Sequence, residues 1–521
     1  MIFQIYLLFY KIMVSKVLSS SIFGVNATLV EIEVDIQPGL PCVQIVGLPD
    51  VAVKEAKERV RSAIIHSGFN FPRKKITVNL APAHIKKVGS YFDLPIAIGI
   101  LIASEQIPTF NNDNEYLIIG ELSLSGDIRP IHGAILISNV AKEKSIKNII
   151  IPKHNSDESA LIENINIYPA KTLAETVKII NDPLKIPYCI DINKVFKPIS
   201  SNGIDFSEVK GQYQVKRGVE VACAGSHNLL LIGPPGCGKT MIAKRIPTIL
   251  PPMTIEESIE TTKIYSVAGH LPENKPLIME RPFRSPHHTA SNIAMVGGGS
   301  FPKPGEVTLS QNGVLFLDEL SEFKKDVLQV LREPLEEEKI TISRIEYSVT
   351  FPSRFMLVAA MNPCPCGYLT HPEINCICTE KQKRSYFSKI SGPFLDRIDI
   401  QMLVSKVTYD DLTKTYEEES SGTRLKRIQT ARTRQLERFN KYKICSNSQM
   451  TRKLIDEFCV LADNSKKLLK KAMTTMNLTA RTYDKILKLS RTIADLDNRD
   501  EIIDSDVMEA LQYRNSNHLL S

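Results

Sequence analysis

Gly233-Pro234-Pro235-Gly236-Cys237-Gly238-Lys239-Thr240 fits the pattern G-x-x-x-x-G-K-[ST] at every defined position. The apolar run Asn228-Leu229-Leu230-Leu231-Ile232 before it reads as a buried parallel strand. Met241-Ile242-Ala243-Lys244-Arg245-Ile246 after it reads as the start of a helix. That context turns a glycine-rich stretch into a phosphate-binding loop. Its glycines let backbone N–H groups close around phosphate oxygens, and the helix N-terminus adds partial positive charge. Residues Gly233, Pro234, Pro235, Gly236, Cys237 and Gly238 form the expected cradle. Lys239 is expected at the β- and γ-phosphates, and the Thr240 hydroxyl on Mg²⁺. A chance match to a turn is the competing reading, and the flanking strand and helix argue against it.

A second stretch supports the first. Gly313-Val314-Leu315-Phe316-Leu317-Asp318-Glu319 is an apolar strand ending in two carboxylates. Alone, such a pair is usually a strand-end surface feature. Downstream of a phosphate-binding loop, Asp318 is expected to hold Mg²⁺ through water and Glu319 to polarise a water for in-line attack on the γ-phosphate. Phosphoryl transfer asks the protein mainly for positioning and charge stabilisation, so these parts suffice for ATP hydrolysis.

Length and composition frame this chemistry. The 521 residues are enough for about three domains. The chain is 43% hydrophobic and 24% charged, ordinary for a soluble globular protein. Its net charge of +7 permits nucleic-acid binding without demonstrating it. The apolar run at residues 2–9 is too short to span a bilayer, and no clean signal-peptide pattern surrounds it. Residues 1–13 therefore read as a disordered extension with the working start at Met13, and the protein as soluble and cytoplasmic. Of the ten cysteines, Cys42, Cys189, Cys223, Cys237, Cys445 and Cys459 are scattered singly, as small buried hydrophobes are in intracellular enzymes.

The fold class is α/β in three blocks. In residues 14–190, the period-two run from Leu29 to Ile36 and Lys75–Leu80 read as strands. Val51 to Ser67 reads as an amphipathic helix, and Asp93 to Ala103 as a buried one. Residues 191–205 read as a linker, 206–404 as the P-loop α/β core, and 405–521 as a helical lid. Within the core, Ile340–Arg344 and Tyr347–Phe351 make a hairpin, and Phe355 to Asn362 is a strand ending in an amide able to orient a water.

This ordered set resembles the AAA+ ATPases of the magnesium chelatase and replicative helicase branch, and most closely the ComM/YifB family of magnesium chelatase-like proteins. The residues carrying the match are Gly211-Gln212, the P-loop, Arg281-Pro282-Phe283-Arg284-Ser285-Pro286-His287-His288, Gly297-Gly298-Gly299, Pro304-Gly305-Glu306, the Asp-Glu strand and Asn362-Pro363-Cys364-Pro365-Cys366-Gly367. The resemblance implies Asn362 as sensor 1, Arg481 as sensor 2, and Arg397 as an arginine finger acting on ATP bound by a neighbouring subunit. It thus implies a ring, expected to be a hexamer. A salt bridge from Arg397 to Asp396 or Asp399 is the structural alternative. Lys339 and Arg344 on the hairpin are expected to touch DNA phosphates, or else to be solvated charges. For Arg281 to His288 a loop serving nucleotide, subunit or DNA contacts is favoured over metal ligation, since adjacent strand histidines point to opposite faces.

Cys364, Cys366, Cys376 and Cys378 form C-x-C pairs nine residues apart. Four thiolates suit a structural Zn²⁺, although the spacing departs from the usual knuckle, and four unrelated thiols are the alternative. The N-terminal block resembles the proteolytic domain of Lon through Gly120–Gly126 and Ile149–Lys153, an α+β fold. Laid on that pattern, Tyr91 stands at the serine position and Ile135 at the lysine position, with Ser90 one residue off. Neither half of the dyad is present, so no peptidase activity is expected. The functional expectation is a DNA-translocating ring ATPase or helicase promoting branch migration of recombination intermediates in natural transformation, acting on branched or single-stranded DNA. The alternative is an ATPase remodelling a protein or metal-insertion partner. The Lon-like block stands against that alternative, because the chelatase subunit is expected to resemble only the AAA+ part.

Overall fold

The computed structural model describes residues 14–514 apart from 111–115, 183, 197–202, 273–274, 300–301, 345–346, 372, 414–417 and 477. The proposed extension at 1–13 therefore lies outside the described residues. The chain divides into two units. The first comprises Met1–Lys197 and Ser258–Ile278, the second Pro198–Glu257 and Met279–Ser521.

The first unit is built on a seven-stranded mixed sheet in the order Cys42–Val46, Lys75–Ala81, Asn26–Gln37, Ser15–Phe23, Tyr116–Ile118, Asn148–Pro152, Asn166–Ala170. The alternation in Asn26–Gln37 sends Val30, Ile32 and Val34 into the core, where each is fully buried. Asp50 caps the helix Val51–His66 by accepting from Val53 N at 2.8 Å, and Val53, Ala56, Val60, Ala63 and Ile64 form its buried stripe. The helix Asp93–Ala103 is apolar on nearly every side and is buried accordingly.

Residues 258–278 interrupt the P-loop core in sequence yet pack with the first unit. Polar groups hold them there: Ser266 Oγ donates to Glu158 at 3.0 Å and accepts from Gly133 N at 2.8 Å, and Lys263 donates to Asn139 at 3.0 Å. Burial pushes the Glu158 carboxyl up to about 7, against the hydrogen bonds it accepts from Ile135 N and Ser266. An acid whose folded pKa lies above its unfolded value binds more protons when folded, so stability is lost as pH rises from about 4.5 to 7. Glu158→Gln should remove that slope, worth on the order of 3 kcal/mol across the window. Calorimetric melting at pH 5, 6 and 7.5 checks it; parallel curves for wild type and variant would contradict the assignment.

The second unit carries a five-stranded parallel sheet in the order Phe283–Arg284, Val314–Leu317, Met356–Met361, Leu229–Ile232, Ile400–Leu403. Its inner strands read as continuous apolar runs because both faces are covered. The helices Ser421–Arg438, Arg452–Phe458, Asp463–Thr475, Ala480–Leu496 and Asp504–Gln512 form the lid. They share one core with the sheet: Ile486, Ile493 and Val507 belong to the same apolar cluster as Leu229, Leu231 and Val358. Among the described residues no helix is long and apolar enough to cross a membrane.

Candidate active site

In a parallel sheet, ligands bind beyond the carboxyl ends of the strands. Three adjacent strands deliver their terminal residues to one such edge. Leu229–Ile232 leads into the P-loop, Val314–Leu317 into Asp318 and Glu319, and Met356–Met361 into Asn362. The P-loop turns through left-handed backbone at Gly236 (φ +75°) and Gly238 (φ +92°), which glycine adopts without Cβ strain. The helix Lys239–Arg245 begins directly after it.

Lys239 is nearly buried, and its ammonium donates to Gly233 O at 2.7 Å, Pro234 O at 2.9 Å and Asn362 Oδ1 at 3.2 Å. Thr240 Oγ1 donates to Asp318 Oδ2 at 2.7 Å. That pair of hard oxygens suits Mg²⁺, which keeps several waters and takes few protein ligands. Glu319 has φ +51°, unusual for a non-glycine residue, and its N–H donates to Asp318 Oδ1 at 2.9 Å. Lys239, Asp318, Glu319, Ser321 and Asn362 line one cavity of about 240 Å³. Predicted residues far apart in sequence are thus brought together.

Other side chains brace this cleft. His288 Nδ1 stands 3.4 Å from Glu319 Oε2. Gln212, itself at φ +54°, donates from Nε2 to Cys237 O at 2.9 Å and Ser405 O at 3.0 Å. Tyr386 donates from its hydroxyl to Asn362 O at 3.2 Å and accepts from Ser321 at 2.8 Å. Gly211-Gln212 and His288 carried the family resemblance without an assigned contact, while Tyr386 gave no local signal at all. The two histidines do not diverge as strand neighbours would. The strand stops at Arg284, and their rings lie 4.1 Å apart in the following loop. The arginines of that segment tie the structure together: Arg284 is bidentate on Glu306 at 2.7 and 2.8 Å, and Arg281 reaches Glu257 at 2.9 Å and Asn312 O at 2.6 Å.

Arg397 and Arg481 lie elsewhere. Arg397 precedes Ile400, which pairs with Leu229 at the start of the P-loop strand, and Arg397 O accepts from Asn228 Nδ2 at 3.1 Å. It therefore sits at the amino edge of the sheet. Neither Asp396 nor Asp399 is its partner. Arg397 pairs with Glu336 at 2.5 Å, and Arg481 approaches the same carboxylate at 3.7 Å. Asp399 is engaged by Lys485 at 2.8 Å. Burial raises its pKa, but Lys485 and His227 outweigh that and hold the carboxyl well below the usual range. Arg397, Arg481 and Glu336 line a separate cavity of about 570 Å³.

On the hairpin Lys339–Arg344 and Tyr347–Pro352, Lys339 stands at the base, 3.7 Å from Glu337, and Arg344 is exposed at the tip. The four sulfurs of Cys364, Cys366, Cys376 and Cys378 lie within 4.8 Å of one another, the only group of three or more possible metal ligands among the described residues. This donor set fits tetrahedral Zn²⁺. In the first unit, Ile135 is buried, Tyr91 is half-buried against the apolar core, and Ser90 Oγ donates to Glu121.

Comparison with known proteins agrees with this geometry. Residues 205–412 match the family model for magnesium chelatase, subunit ChlI, residues 32–155 that for subunit ChlI of Mg-chelatase, and residues 418–514 that for the ChlI C-terminal region. The chain is 43% identical over 501 residues to competence protein ComM of Haemophilus influenzae, covering 96% of this chain and 97% of that protein. It is 44% identical over 498 residues to YifB of Escherichia coli, covering 95% and 96%. A shorter likeness, 33% over 132 residues and 24% of this chain, links it to the archaeal Lon protease of Thermococcus kodakarensis, of which it covers 20%. By identity along nearly its whole length, and by the residues gathered at the carboxyl edge of its parallel sheet, the chain belongs to the ComM/YifB family of magnesium chelatase-like AAA+ ATPases.

Proposed function

We propose that this ATPase works as a cytoplasmic ring motor on branched or single-stranded DNA, driving branch migration of recombination intermediates during natural transformation. The observation that carries the ring is the position of Arg397 and Arg481. Both stand on Glu336 in a cavity lined at the amino edge of the sheet, while Lys239, Thr240, Asp318, Glu319 and Asn362 stand at the carboxyl edge. Neither arginine is placed to serve the nucleotide of its own chain. That separation supports the reading of Arg397 as a finger for a neighbour's nucleotide, whose phosphates would take over from the Glu336 carboxylate, with Arg481 as sensor 2 beside it. A heterologous contact of this kind gives a ring where its rotation closes, here expected to be a hexamer as the family resemblance implies.

In the proposed reaction, P-loop amides and the Lys239 ammonium hold the β- and γ-phosphates of ATP. Bound Mg²⁺ supplies charge neutralisation across the phosphate oxygens. Thr240 and Asp318 orient that metal, Asn362 and Glu319 position the attacking water, and Glu319 draws off its proton. Guanidinium groups from the adjacent chain stabilise charge on the transferred phosphoryl.

For the DNA side, Arg344 at the hairpin tip is better placed than Lys339, whose charge is shared with Glu337. The Haemophilus relative is named a competence protein, which supports a competence role. Forked DNA should stimulate ATP turnover, and Arg344→Gln should weaken stimulation and lower the salt slope of DNA binding by about one. Unchanged turnover with fork and single strand, and no binding at low salt, would refute the motor. The first unit, with its Lon-like stretch, half-buried Tyr91 and buried Ile135, has no peptidase role in this reading. A protein or metal-insertion client remains the second reading. It is favoured by the chelatase family models, whose match at 32–155 removes the first unit as an argument against it.

A further inference from the structure

The turn after sensor 1 touches the phosphate cradle. Gly367 is buried with φ +84°, and a Cβ built there would fall 2.7 Å from Cδ and 2.9 Å from Cγ of Pro235, inside the P-loop. The same turn is closed by Gly367 N donating to Cys364 O at 2.9 Å. Cys364 is fully buried and follows Asn362, whose side chain holds Lys239 at 3.2 Å. The run 362–367 therefore meets the ATP cleft twice, once through Asn362 on the lysine and once through Gly367 on the loop.

The sulfurs are close to a metal-ready arrangement. Cys364 Sγ lies 3.3 Å from Cys366 Sγ and 3.6 Å from Cys376 Sγ, and Cys366 Sγ lies 3.6 Å from Cys376 Sγ. Zn–S bonds of about 2.3 Å in a tetrahedron put sulfurs about 3.8 Å apart, so these three need only a small expansion, and Cys378 Sγ lies within 4.8 Å of each. Four neutral thiols offer each other weak hydrogen bonds, whereas four thiolates on one Zn²⁺ lock the turn that carries Gly367.

We propose that the four-cysteine metal site positions the P-loop: Zn²⁺ held by Cys364, Cys366, Cys376 and Cys378 presses Gly367 against Pro235 and thereby sets the affinity for ATP. The site then acts on nucleotide binding as well as on the segment leading to the finger. This inference rests on the ATP-site reading above. Metal binding at the site releases thiol protons to solvent and requires no oxidant.

The test uses the full-length chain, zinc quantified by elemental analysis, and a fluorescent ATP analogue titrated at equilibrium. Zinc-loaded protein should bind the analogue at least about tenfold more tightly than the same protein after chelation, and returning zinc should restore affinity. Gly367→Ala keeps all four thiols. It should retain one zinc per chain and lose affinity about tenfold as its Cβ meets Pro235, and chelation should then add little further loss, because the zinc effect of the wild type runs through this contact. Lys239→Ala should lose nucleotide and keep zinc. Equal affinity with and without zinc, equal affinity in Gly367→Ala, or failure to take up zinc at all would each overturn the coupling while leaving the ATP site standing. Absence of analogue binding by zinc-loaded wild type would instead overturn the ATP-site reading itself.

Discussion

Arg397→Ala should reduce steady-state ATP turnover by about 10³-fold or more, within the range of arginine fingers in other nucleotide hydrolases, while nucleotide binding survives. The sheet dictates the direction of this effect. Ile400 pairs with Leu229, and Leu403 with Ile232, so the P-loop strand spans four residues from the arginine's level to the cradle. At about 3.3 Å per residue, that places the two ends roughly 10 Å apart before the loop and the nucleotide are added. Asn228 fixes the arginine's own carbonyl at the far end. In the ring proposed above, an arginine so held would contribute to turnover through a second chain. Mixing Arg397→Ala with Lys239→Ala should therefore restore part of the activity neither variant has alone, because some interfaces would join an intact P-loop to an intact finger. The competing account makes Arg397 a brace for Glu336. That account predicts equal losses from Glu336→Gln and Arg397→Ala, and no rescue on mixing. Glu336 is instead expected to tolerate the change with turnover kept within a few fold.

What was legible in the sequence shares a physical character. The P-loop, the Asp-Glu strand and the Asn362 strand are runs whose apolar composition and terminal residues are set locally, by burial on both faces and by chemistry at one end. The hairpin was readable for the same reason, since its two β-type runs are separated by a short turn. Features set by distant partners were not legible. No local pattern says that residues 258–278 leave the P-loop core to pack on Glu158, because a buried serine–carboxylate contact leaves no periodicity. The strand Phe283–Arg284 is two residues long, too short to show alternation; the histidines after it lie in a loop, as favoured, but with their rings together, so the diverging faces of a strand are no argument there against a shared ligand. The Glu336 pairing joins two helices and the turn that carries Arg397, and it depends on the lid's placement, which the shared apolar core sets.

Glu319→Gln should separate binding from hydrolysis. Turnover is expected to fall by about 10²–10⁴-fold, the contribution of a positioned general base, with affinity for ATP and nucleotide-dependent assembly preserved. The geometry explains why this position and not its neighbour gives a clean separation. Asp318 accepts from Thr240 Oγ1 at 2.7 Å and from Glu319 N at 2.9 Å, so removing its charge would disturb the hydroxyl proposed for magnesium along with the loop. Lys239 is bound into the cradle itself by Gly233 O and Pro234 O, so its loss should weaken nucleotide binding first. The Glu319 side chain is mostly exposed and meets His288 at 3.4 Å without touching the P-loop. Glutamine keeps its shape and can still face the imidazole, but it cannot accept a proton from water at neutral pH. Equilibrium binding of a fluorescent ATP analogue, light scattering with and without nucleotide, and phosphate release on one preparation decide the matter. Phosphate release within threefold of wild type would remove Glu319 from the chemistry. Lost assembly would mean that its carboxylate braces the fold of the site, with the water activated by another group.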